Sequence, residues 1–327
     1  MVEIKVAYLG PPGTYSHQAA RQQFEPYSIE NESINVLYLP QPSISGCFKA
    51  IGEGLCDYSL IPFENTSNGQ VVLSYDLFRD WFVEASHKNS EEFTEPQFEV
   101  VAEQFVAIHH NLISYASDLK YIERIYSHPQ VWSQCNKFLD HLDDIVDHKI
   151  ERIDVSSTSK AVSVLSDIKS KAERKKCAAI ASAMASEVHG VPIVKTSVED
   201  FQGNTTRFLV LGKKKNSPVK INPIVNKKLS PMKVTLLTFV IKNNDNFGSL
   251  CNILQVFKQH NLNLQTITTR PSVISPWRYV FFVEVWYTEE LSAALIELRS
   301  MVLSLTVIGS FYRAKKFFEM ISSSSQE

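Results

Sequence analysis

The stretch GNTTRFLVLG, residues 203–212, places four polar side chains at the head of an apolar run that predicts a buried strand. Alternation along a strand puts Asn204 and Thr206 on one face and Thr205 and Arg207 on the other. Thr206 and Arg207 therefore cannot both point squarely into one pocket. Polar side chains at the mouth of a strand are costly unless something hydrogen-bonds to them, so the stretch predicts a ligand contact.

Other stretches combine hydroxyl, amide, carboxylate and imidazole groups near predicted strand ends: GPPGTYSH (10–17), PFENTSNG (62–69), SHPQ (127–130) and the Ser/Thr turn at 156–158. Several of them begin helices, whose free N–H groups and positive dipole ends favour an anion. Gln134 lies one helical turn beyond Gln130, which puts two amides on one face. Together these groups predict an anion-binding site built from uncharged donors.

Each stretch also has a structural interpretation. GPPGTYSH lacks the glycine spacing of nucleotide-binding loops, and a tight turn with Thr14 or Ser16 as helix cap explains it equally well. Taken alone, His128 before Pro129 is more often a turn residue than a catalyst. The sequence contains no nucleophile–histidine arrangement and no His/Cys cluster with metal-ligand spacing, so we expect neither a metal nor a cofactor.

The elements that position these groups follow an α/β pattern over residues 1–212, where short apolar runs alternate with helical patterns. In open α/β sheets ligands bind beyond the carboxyl ends of the strands, which is where these polar stretches lie. A loose internal similarity relates the segments 8–24 and 125–139, each a strand, a proline-containing turn and a helix. It predicts two similar lobes, with residues 99–114 as a crossing strand.

Residues 213–233 are rich in Lys, Asn and Pro and predict a linker. Residues 234–315 follow the order βαββαβ, the ferredoxin-like plan. The last residues, 316–327, are predicted to be a disordered tail.

The whole chain has 327 residues, 44% of them apolar, and a net charge of −2. That length exceeds one comfortable core, so two or three folding units are expected. A near-neutral charge gives no field for nucleic acid, and no apolar stretch is long enough to span a membrane. Five widely spaced cysteines and an N-terminus without a signal-peptide pattern predict a cytoplasmic protein.

Five blocks in this order resemble the signature of the prephenate dehydratase family: GPPGTYSHQAA, PFENTSNGQV, SHPQVWSQC, AAIAS and DFQGNTTRFLVLG. The C-terminal unit is similar to that family's regulatory ACT domain, with GSL before its first helix and TTRP after its second strand. The resemblance covers nearly the whole chain. It implies a two-lobed catalytic domain like that of periplasmic binding proteins, followed by a ferredoxin-like ACT domain.

The family converts prephenate to phenylpyruvate in phenylalanine biosynthesis without a cofactor. The resemblance implies that Thr206 orients and hydrogen-bonds the departing hydroxyl, because a threonine hydroxyl is too weak an acid to supply the proton. Glu64 and His128 are the titratable candidates, and the sequence does not choose between them. The predicted substrate-binding residues are Thr14, Asn65, Ser67, Ser127, Gln130, Gln134, Ser157, Thr158, Asn204 and Arg207, although Arg207 could instead brace its strand.

The ACT resemblance implies a homodimer or homotetramer that binds phenylalanine as an allosteric inhibitor. The residues predicted to bind it are Asn246, Gly248, Ser249, Leu250, Thr269, Arg270 and Pro271. This copy has Gly-Ser-Leu where the family usually has Gly-Ala-Leu, and Thr-Thr-Arg-Pro where Glu-Ser-Arg-Pro is common, which leaves the strength of inhibition open. Two alternatives remain: arogenate dehydratase, and a non-catalytic two-lobed solute sensor.

Overall fold

A computed structural model describes residues 2–84, 96–215, 218, 232–242, 247–273 and 275–324. The strands are β1 (Val2–Leu9), β2 (Ile34–Gln41), β3 (Tyr58–Asn65), β4 (Gly69–Gln70), β5 (Phe98–Ala107), β6 (Asn111–Ser114), β7 (Arg124–Ser127), β8 (Glu151–Asp154), β9 (Cys177–Ala181), β10 (Ile193–Lys195), β11 (Thr205–Lys213), β12 (Lys233–Ile241), β13 (Leu264–Pro271), β14 (Tyr279–Trp286) and β15 (Val302–Tyr312).

The helices are α1 (Tyr15–Glu30), α2 (Ile44–Gly52), α3 (Val72–Arg79), α4 (Pro129–Trp132), α5 (Asn136–Ile145), α6 (Thr158–Asp167), α7 (Lys171–Arg174), α8 (Ala183–His189), α9 (Ser249–Gln259), α10 (Leu291–Met301) and α11 (Lys315–Ser324). A π-helical turn at Asp80–Glu84 continues α3, and a 3₁₀ turn lies at Leu119–Tyr121. Within the described ranges no helix is long and apolar enough to cross a membrane.

The two predicted lobes are present and share one topology. In the first lobe β1 pairs in parallel with β2 and β3, and in the second β7 pairs in parallel with β8 and β9. In each lobe an antiparallel strand then joins the third parallel strand, β11 beside β3 and β6 beside β9. The internal similarity of the sequence is therefore a real repeat of one β-α-β-α-β unit.

The predicted crossing strand is two strands instead of one. β5 belongs to the first lobe and β6 to the second, and residues 108–110 pass between them. His110 donates its backbone N–H to Glu199 there, on the second segment that connects the lobes. Between the two sheets the backbone N–H of His110 has no strand to pair with, and the carboxylate of Glu199 satisfies it instead.

The C-terminal unit has the predicted order βαββαβ, with strands arranged β13-β14-β12-β15. Its sheet continues into the first lobe, because β15 lies parallel to β5 with Gly309 opposite Val100. A common apolar core covers the junction and includes Phe48 and Phe78 of the first lobe together with Phe282 and Phe311 of the C-terminal unit. The first lobe and the C-terminal unit thus form one layer.

Two predicted segments flank this unit. The linker prediction falls largely on residues 216, 217 and 219–231, which lie outside the described residues. The predicted disordered tail is wrong for residues 316–324, since α11 occupies them. Phe317 of α11 packs against Phe105 and Trp286, and this apolar contact fixes the helix on the protein surface.

Candidate active site

A cavity of about 660 Å³ lies between the two lobes, at the carboxyl ends of their parallel strands. Its lining residues are Leu9, Gly10, Pro11, Thr14, Tyr15, Ser16, Pro42, Asn65, Asn68, Ile108, His110, His128, Gln130, Val131, Gln134, Ser156, Ser157, Thr158, Asn204 and Thr206. The lining contains neither a lysine nor an arginine. An anion bound there would be held by uncharged donors.

Two helices direct their N-termini at this cavity. Thr14 caps α1 and accepts a hydrogen bond from the backbone of His17, and Ser157 caps α6 and accepts one from the backbone of Lys160. Both caps line the cavity, together with Thr158 in the first turn of α6. The positive ends of two helix dipoles, one from each lobe, therefore face the same space and favour negative charge in it.

The strand mouth at residues 204–206 forms a hydrogen-bonded group with Asn65. The amide nitrogen of Asn65 donates to Thr206 Oγ1 at 2.9 Å and to Asn204 Oδ1 at 2.7 Å. Among the residues that the structure describes, the Thr206 hydroxyl has no acceptor for its own proton. Because Asn65 occupies one lone pair of Oγ1, that O–H is available to donate into the cavity.

The amide of Asn65 is itself fixed by the turn that follows β3. Its Oδ1 accepts from the backbone N–H groups of Ser67 and Asn68 at 3.0 and 2.9 Å. Both sides of the Asn65 amide are thus used, and its orientation is set by the backbone. Through the 2.9 Å bond from Asn65, the position of the Thr206 hydroxyl oxygen is fixed as well.

The opposite face of β11 carries a buried ion cluster, as strand alternation predicts. Arg207 contacts Glu64 of β3 at 3.0 Å, Glu103 of β5 at 2.9 Å and Glu284 of β14 at 2.6 Å. Arg313, just beyond β15, contacts both Glu103 and Glu284. Burial lowers the pKa of Arg207, but Glu284 and Glu103 more than offset it and hold the pKa well above its usual value.

A second network lines the cavity on the side of the crossing segment. His110 Nε2 lies 2.7 Å from Gln134 Oε1, and its Nδ1 lies 3.1 Å from the hydroxyl of Tyr15. Burial lowers the pKa of His110, so its imidazole is neutral at pH 7. This network fixes the position of Gln134, whose amide the sequence placed on the binding face.

His128 lines the same cavity and caps the short helix α4. Its Nδ1 accepts from the backbone N–H of Gln130 at 3.3 Å. A neutral imidazole with this contact carries its hydrogen on Nε2, from which it can donate a hydrogen bond to a bound molecule.

Most of the predicted site residues meet in this cavity: Thr14, Asn65, His128, Gln130, Gln134, Ser157, Thr158, Asn204 and Thr206. Four do not line it, namely Glu64, Ser67, Ser127 and Arg207. The carboxylate of Glu64 is held by Arg207 and by the hydroxyl of Tyr75, on the other side of β3.

The remaining two of these four are also used elsewhere. The hydroxyl of Ser127 donates to the carbonyl of Ile180 at 2.7 Å inside the second lobe. Ser67 lies exposed in the turn after β3 and contributes its backbone N–H to Asn65. Direct substrate contacts by Glu64, Ser67, Ser127 and Arg207 do not fit this geometry.

Sequence reasoning missed Tyr15 and His110. Tyr15 follows the cap Thr14 directly, which marks it as the first residue of a helix that begins at the cavity. The pair His109-His110 stands at the end of an apolar strand, the same signal that identified the other polar strand ends. No group of three or more His, Cys, Asp or Glu in the described parts of the chain is placed to hold a metal ion.

The predicted phenylalanine-binding residues lie in the C-terminal unit. Gly248 caps α9 with φ +78°, in the left-handed region, and Ser249 and Leu250 begin the helix. Arg270 contacts Asp76 of α3 at 2.7 Å. Asn246 lies outside the described residues.

Thr269 and Pro271 flank Arg270 in β13, and Thr269 is exposed. The carbonyl of Pro271 accepts from Arg79 of α3 at 2.8 Å. The predicted effector motif is therefore attached to the first lobe of its own chain, which a purely intersubunit role does not require.

The comparison with known proteins decides the family. The family model of prephenate dehydratase matches residues 6–216. A probable prephenate dehydratase of Saccharomyces cerevisiae is 39% identical over 307 residues, which cover 88% of this chain and 88% of the yeast protein. The chain belongs to the prephenate dehydratase family.

Other members of the family agree with this assignment. A bifunctional chorismate mutase/prephenate dehydratase of Aquifex aeolicus is 31% identical over 316 residues, which cover 95% of this chain and 74% of that protein. The crystal structure of a prephenate dehydratase in complex with L-Phe from Arthrobacter aurescens has a TM-score of 0.71 at 21% identity and covers 96% of this chain and 91% of its own. At that identity the crystal structure supports the fold alone.

Family membership confirms the predicted two-lobed catalytic domain and the predicted activity. The chain is a lyase that forms phenylpyruvate from prephenate for phenylalanine biosynthesis. The related proteins are named for prephenate, so the arogenate alternative is not favoured. A passive solute sensor is likewise not favoured.

Proposed function

We propose that the cavity between the lobes is where prephenate is bound and converted, with Thr206 at the departing hydroxyl. Prephenate is a dianion, and the N-termini of α1 and α6 offer one anion-binding helix end in each lobe. The observation that carries the proposal is the Thr206 hydroxyl, which accepts from Asn65 and, within the described part of the chain, has no acceptor for its own proton. Supporting polar contacts come from Gln130, Gln134 and Asn204.

The reaction is a vinylogous elimination, in which electrons move through the ring from the bond to the carboxylate towards the C4 hydroxyl. The bond from the ring to its carboxylate breaks, carbon dioxide leaves, and the electron pair enters the ring. The bond from C4 to its hydroxyl then breaks, and that oxygen leaves with a proton as water. Formation of the aromatic ring drives the reaction, so the protein supplies orientation, hydrogen bonds and one proton.

His128 is the proposed source of that proton, which it gives up as an imidazolium and so returns to the neutral ring. Of the two titratable candidates from the sequence it is the one that lines the cavity, while Glu64 is bound to Arg207 on the far side of β3. Thr206 donates a hydrogen bond to the leaving oxygen as charge develops on it. A preorganised donor of this kind typically contributes about 3–4 kcal/mol to transition-state stabilisation.

Incubation of the purified chain with prephenate, followed by phenylpyruvate absorbance in base, tests the proposal. Arogenate is the matched comparison substrate, because it differs only by an amino group in place of the side-chain keto group. Prephenate is expected to have the higher kcat/KM. A higher kcat/KM with arogenate would overturn the substrate assignment.

Metal removal is expected to leave turnover unchanged. The elimination forms an aromatic ring and therefore needs no external electron sink, and the proposed stabilisation comes from hydrogen bonds and helix dipoles. Dialysis against a chelator, with the rate measured before and after addition of Mg²⁺, Mn²⁺ or Zn²⁺, checks this. Restoration of a lost rate by any of these ions would contradict it.

We also propose that phenylalanine binds the C-terminal units of a homodimer or homotetramer and inhibits the enzyme. Support comes from the βαββαβ order of that unit and from the Arthrobacter aurescens relative, which was solved in complex with L-Phe. A cytoplasmic location belongs to the same proposal. It is supported by the five cysteines, all within the described residues and none in a disulfide.

Gly248→Ala is expected to raise the phenylalanine concentration that halves the rate, relative to the variant's own uninhibited rate. A Cβ at 248 meets no neighbour within 4 Å, but the left-handed backbone there is strained for any residue other than glycine. The start of α9 would shift, and its N–H groups would no longer be placed for the carboxylate of the ligand. The dose–response curve for phenylalanine measures this effect.

Gly54→Ala is the matched control. Gly54 has φ +73° and open space around it, but it lies in the first lobe after α2. It introduces the same backbone strain outside the C-terminal unit and should leave the inhibition midpoint unchanged. Equal midpoints for Gly248→Ala and the unmodified protein would count against the proposed effector site.

A further inference from the structure

The ion cluster on the back of β11 joins the C-terminal unit to the strand that carries Thr206. Both carboxylate oxygens of Glu284, in β14, accept hydrogen bonds from Arg207, at 2.6 Å from Nη2 and 3.1 Å from Nη1. Arg207 is the chain neighbour of Thr206. Its Nη1 also binds Glu64, which is the chain neighbour of Asn65.

One guanidinium thus belongs to the chain neighbour of Thr206 and binds the chain neighbour of Asn65. β11 and β3 are paired here with Thr206 opposite Asn65 and Arg207 opposite Glu64. A displacement of Arg207 would move the two strands relative to each other and change the bond between Asn65 and Thr206.

β11 pairs with β5 without interruption from Thr205 to Val210, but its register with β3 shifts between Arg207 and Phe208. The bulge loosens the pairing on the side of Asn65, so the placement of Thr206 relative to Asn65 gains from a further restraint. The guanidinium supplies that restraint, since Glu103, Glu64 and Glu284 accept hydrogen bonds from all three of its nitrogens. Of these three carboxylates Glu284 belongs to the C-terminal unit.

We infer that Glu284 is a positioning residue for the reaction, acting through Arg207 on the orientation of Asn65 and Thr206. Catalysis in the cavity then depends on a carboxylate from the C-terminal unit that never touches substrate. The inference rests on the proposed role of Thr206. It also gives the C-terminal unit a part in the rate without phenylalanine.

The ion pair fits a positioning role in its electrostatics as well. Burial raises the pKa of Glu284, but Arg207 and Arg313 outweigh it and hold the pKa below its ordinary value, so the carboxylate is charged at pH 7. Glu284 and Glu103 are fully buried, which removes competing water from both contacts. A charge-assisted bidentate contact of this kind fixes direction as well as distance.

Glu284→Gln is the test, because it keeps the size of the side chain and removes its charge. We expect kcat with prephenate to fall about 10- to 100-fold, the loss that a misplacement of about 1 Å produces, with little change in KM. Glu284→Asp keeps the charge and withdraws the carboxylate by one methylene. It should show a smaller fall in kcat of the same kind, and it keeps the test valid if the glutamine variant does not fold.

Asp76→Asn is the matched control for contact between the two units. It makes the same chemical change in a carboxylate that pairs with Arg270 of β13 and Arg79 of α3 and has no contact with Arg207 among the described residues. Its kcat should stay within about twofold of the unmodified protein, in the range expected for sites that do not couple. A fall as large as that of Glu284→Gln would mean that any weakening between the units lowers the rate, and would overturn the inference.

A double-mutant cycle with Thr206→Val separates this inference from the proposed function. If Glu284 acts through the Thr206 hydroxyl, its substitution should cost little more in the Thr206→Val protein, because the group it positions is already missing. If the fold-loss in kcat of the double variant equals the product of the two single fold-losses, the positioning role is overturned. A normal kcat for Thr206→Val alone would instead overturn the proposed role of Thr206.

Discussion

Thr206→Val is expected to lower kcat and kcat/KM together by roughly 10²–10³, with KM nearly unchanged. Valine keeps the β-branched shape that suits a strand, so the fold should survive. What it removes is the cavity-lining hydroxyl whose oxygen accepts a hydrogen bond from Asn65. A donor needed mainly in the transition state appears in kcat, and steady-state kinetics with prephenate measure the division between kcat and KM.

Two further variants frame this result. Thr206→Ser restores the donor and should recover a substantial part of the rate. Thr205→Val removes a hydroxyl from the opposite face of β11, where Thr205 lines a smaller cavity of about 250 Å³, and should be much milder. A near-normal kcat with a raised KM for Thr206→Val would make Thr206 a ground-state binder and shift the catalytic role to His128.

Arg207→Met is expected to lower the free energy of unfolding by about 3–5 kcal/mol, the usual loss when one partner of a buried ion pair is removed. Methionine keeps much of the stem but leaves Glu103 and Glu284 with Arg313 as their remaining buried cation. Glu64 loses its ion pair in the same step. Urea denaturation followed by circular dichroism measures the change.

The pH dependence of this loss has a definite sign. In the unmodified protein the pKa of Glu284 lies below its ordinary value of 4.5, so its stabilisation is present above that value and is lost as the pH falls through the folded-state pKa. In Arg207→Met a poorly compensated buried carboxylate has a raised pKa, and protonation stabilises the folded state. The difference between the two proteins should therefore shrink as the pH is lowered from 7 to about 5.

Arg152→Met is the control for this substitution. Arg152 pairs with Asp143 at 3.0 Å on the surface, where the two side chains are 34% and 42% exposed to solvent. Surface pairs contribute about 1 kcal/mol or less, so this variant should unfold almost like the unmodified protein. Equal losses for Arg207→Met and Arg152→Met would mean that the buried cluster contributes no more than a surface pair.

The sequence was sufficient for those parts of the fold and site that depend on local pattern. Apolar runs located β1, β3, β7 and β9, and the polar residues after them met in one cavity as strand-end geometry requires. The alternation of side chains along β11 also predicted correctly that Thr206 and Arg207 lie on opposite faces of the strand. These results depend on neighbours in the chain or on periodicity, which a single sequence contains.

Contacts between distant segments were not predictable in the same way. Glu284 stood as the single charge of an apolar strand, and Glu103 shared its apolar strand with one other charge, Glu99, which indicates buried partners without naming them. That both bind Arg207 follows from β15 lying beside β5, and nothing in the local pattern of either strand specifies this pairing. The helix α11 was missed for a similar reason, since its apolar contacts come from Phe105 and Trp286.

The pairing of β15 with β5 bears on how such an enzyme can acquire or exchange a regulatory unit. A Cβ on Gly309 would overlap the backbone of Val100, so the two strands approach more closely than any other residue allows. If the chain ended after β11, one edge of β5 would be unpaired, which is a template for aggregation. Arg207 would then lack Glu284, and Glu103 would lack Arg313. A replacement unit would have to bring its own glycine and its own carboxylate, which makes this unit poorly interchangeable between proteins.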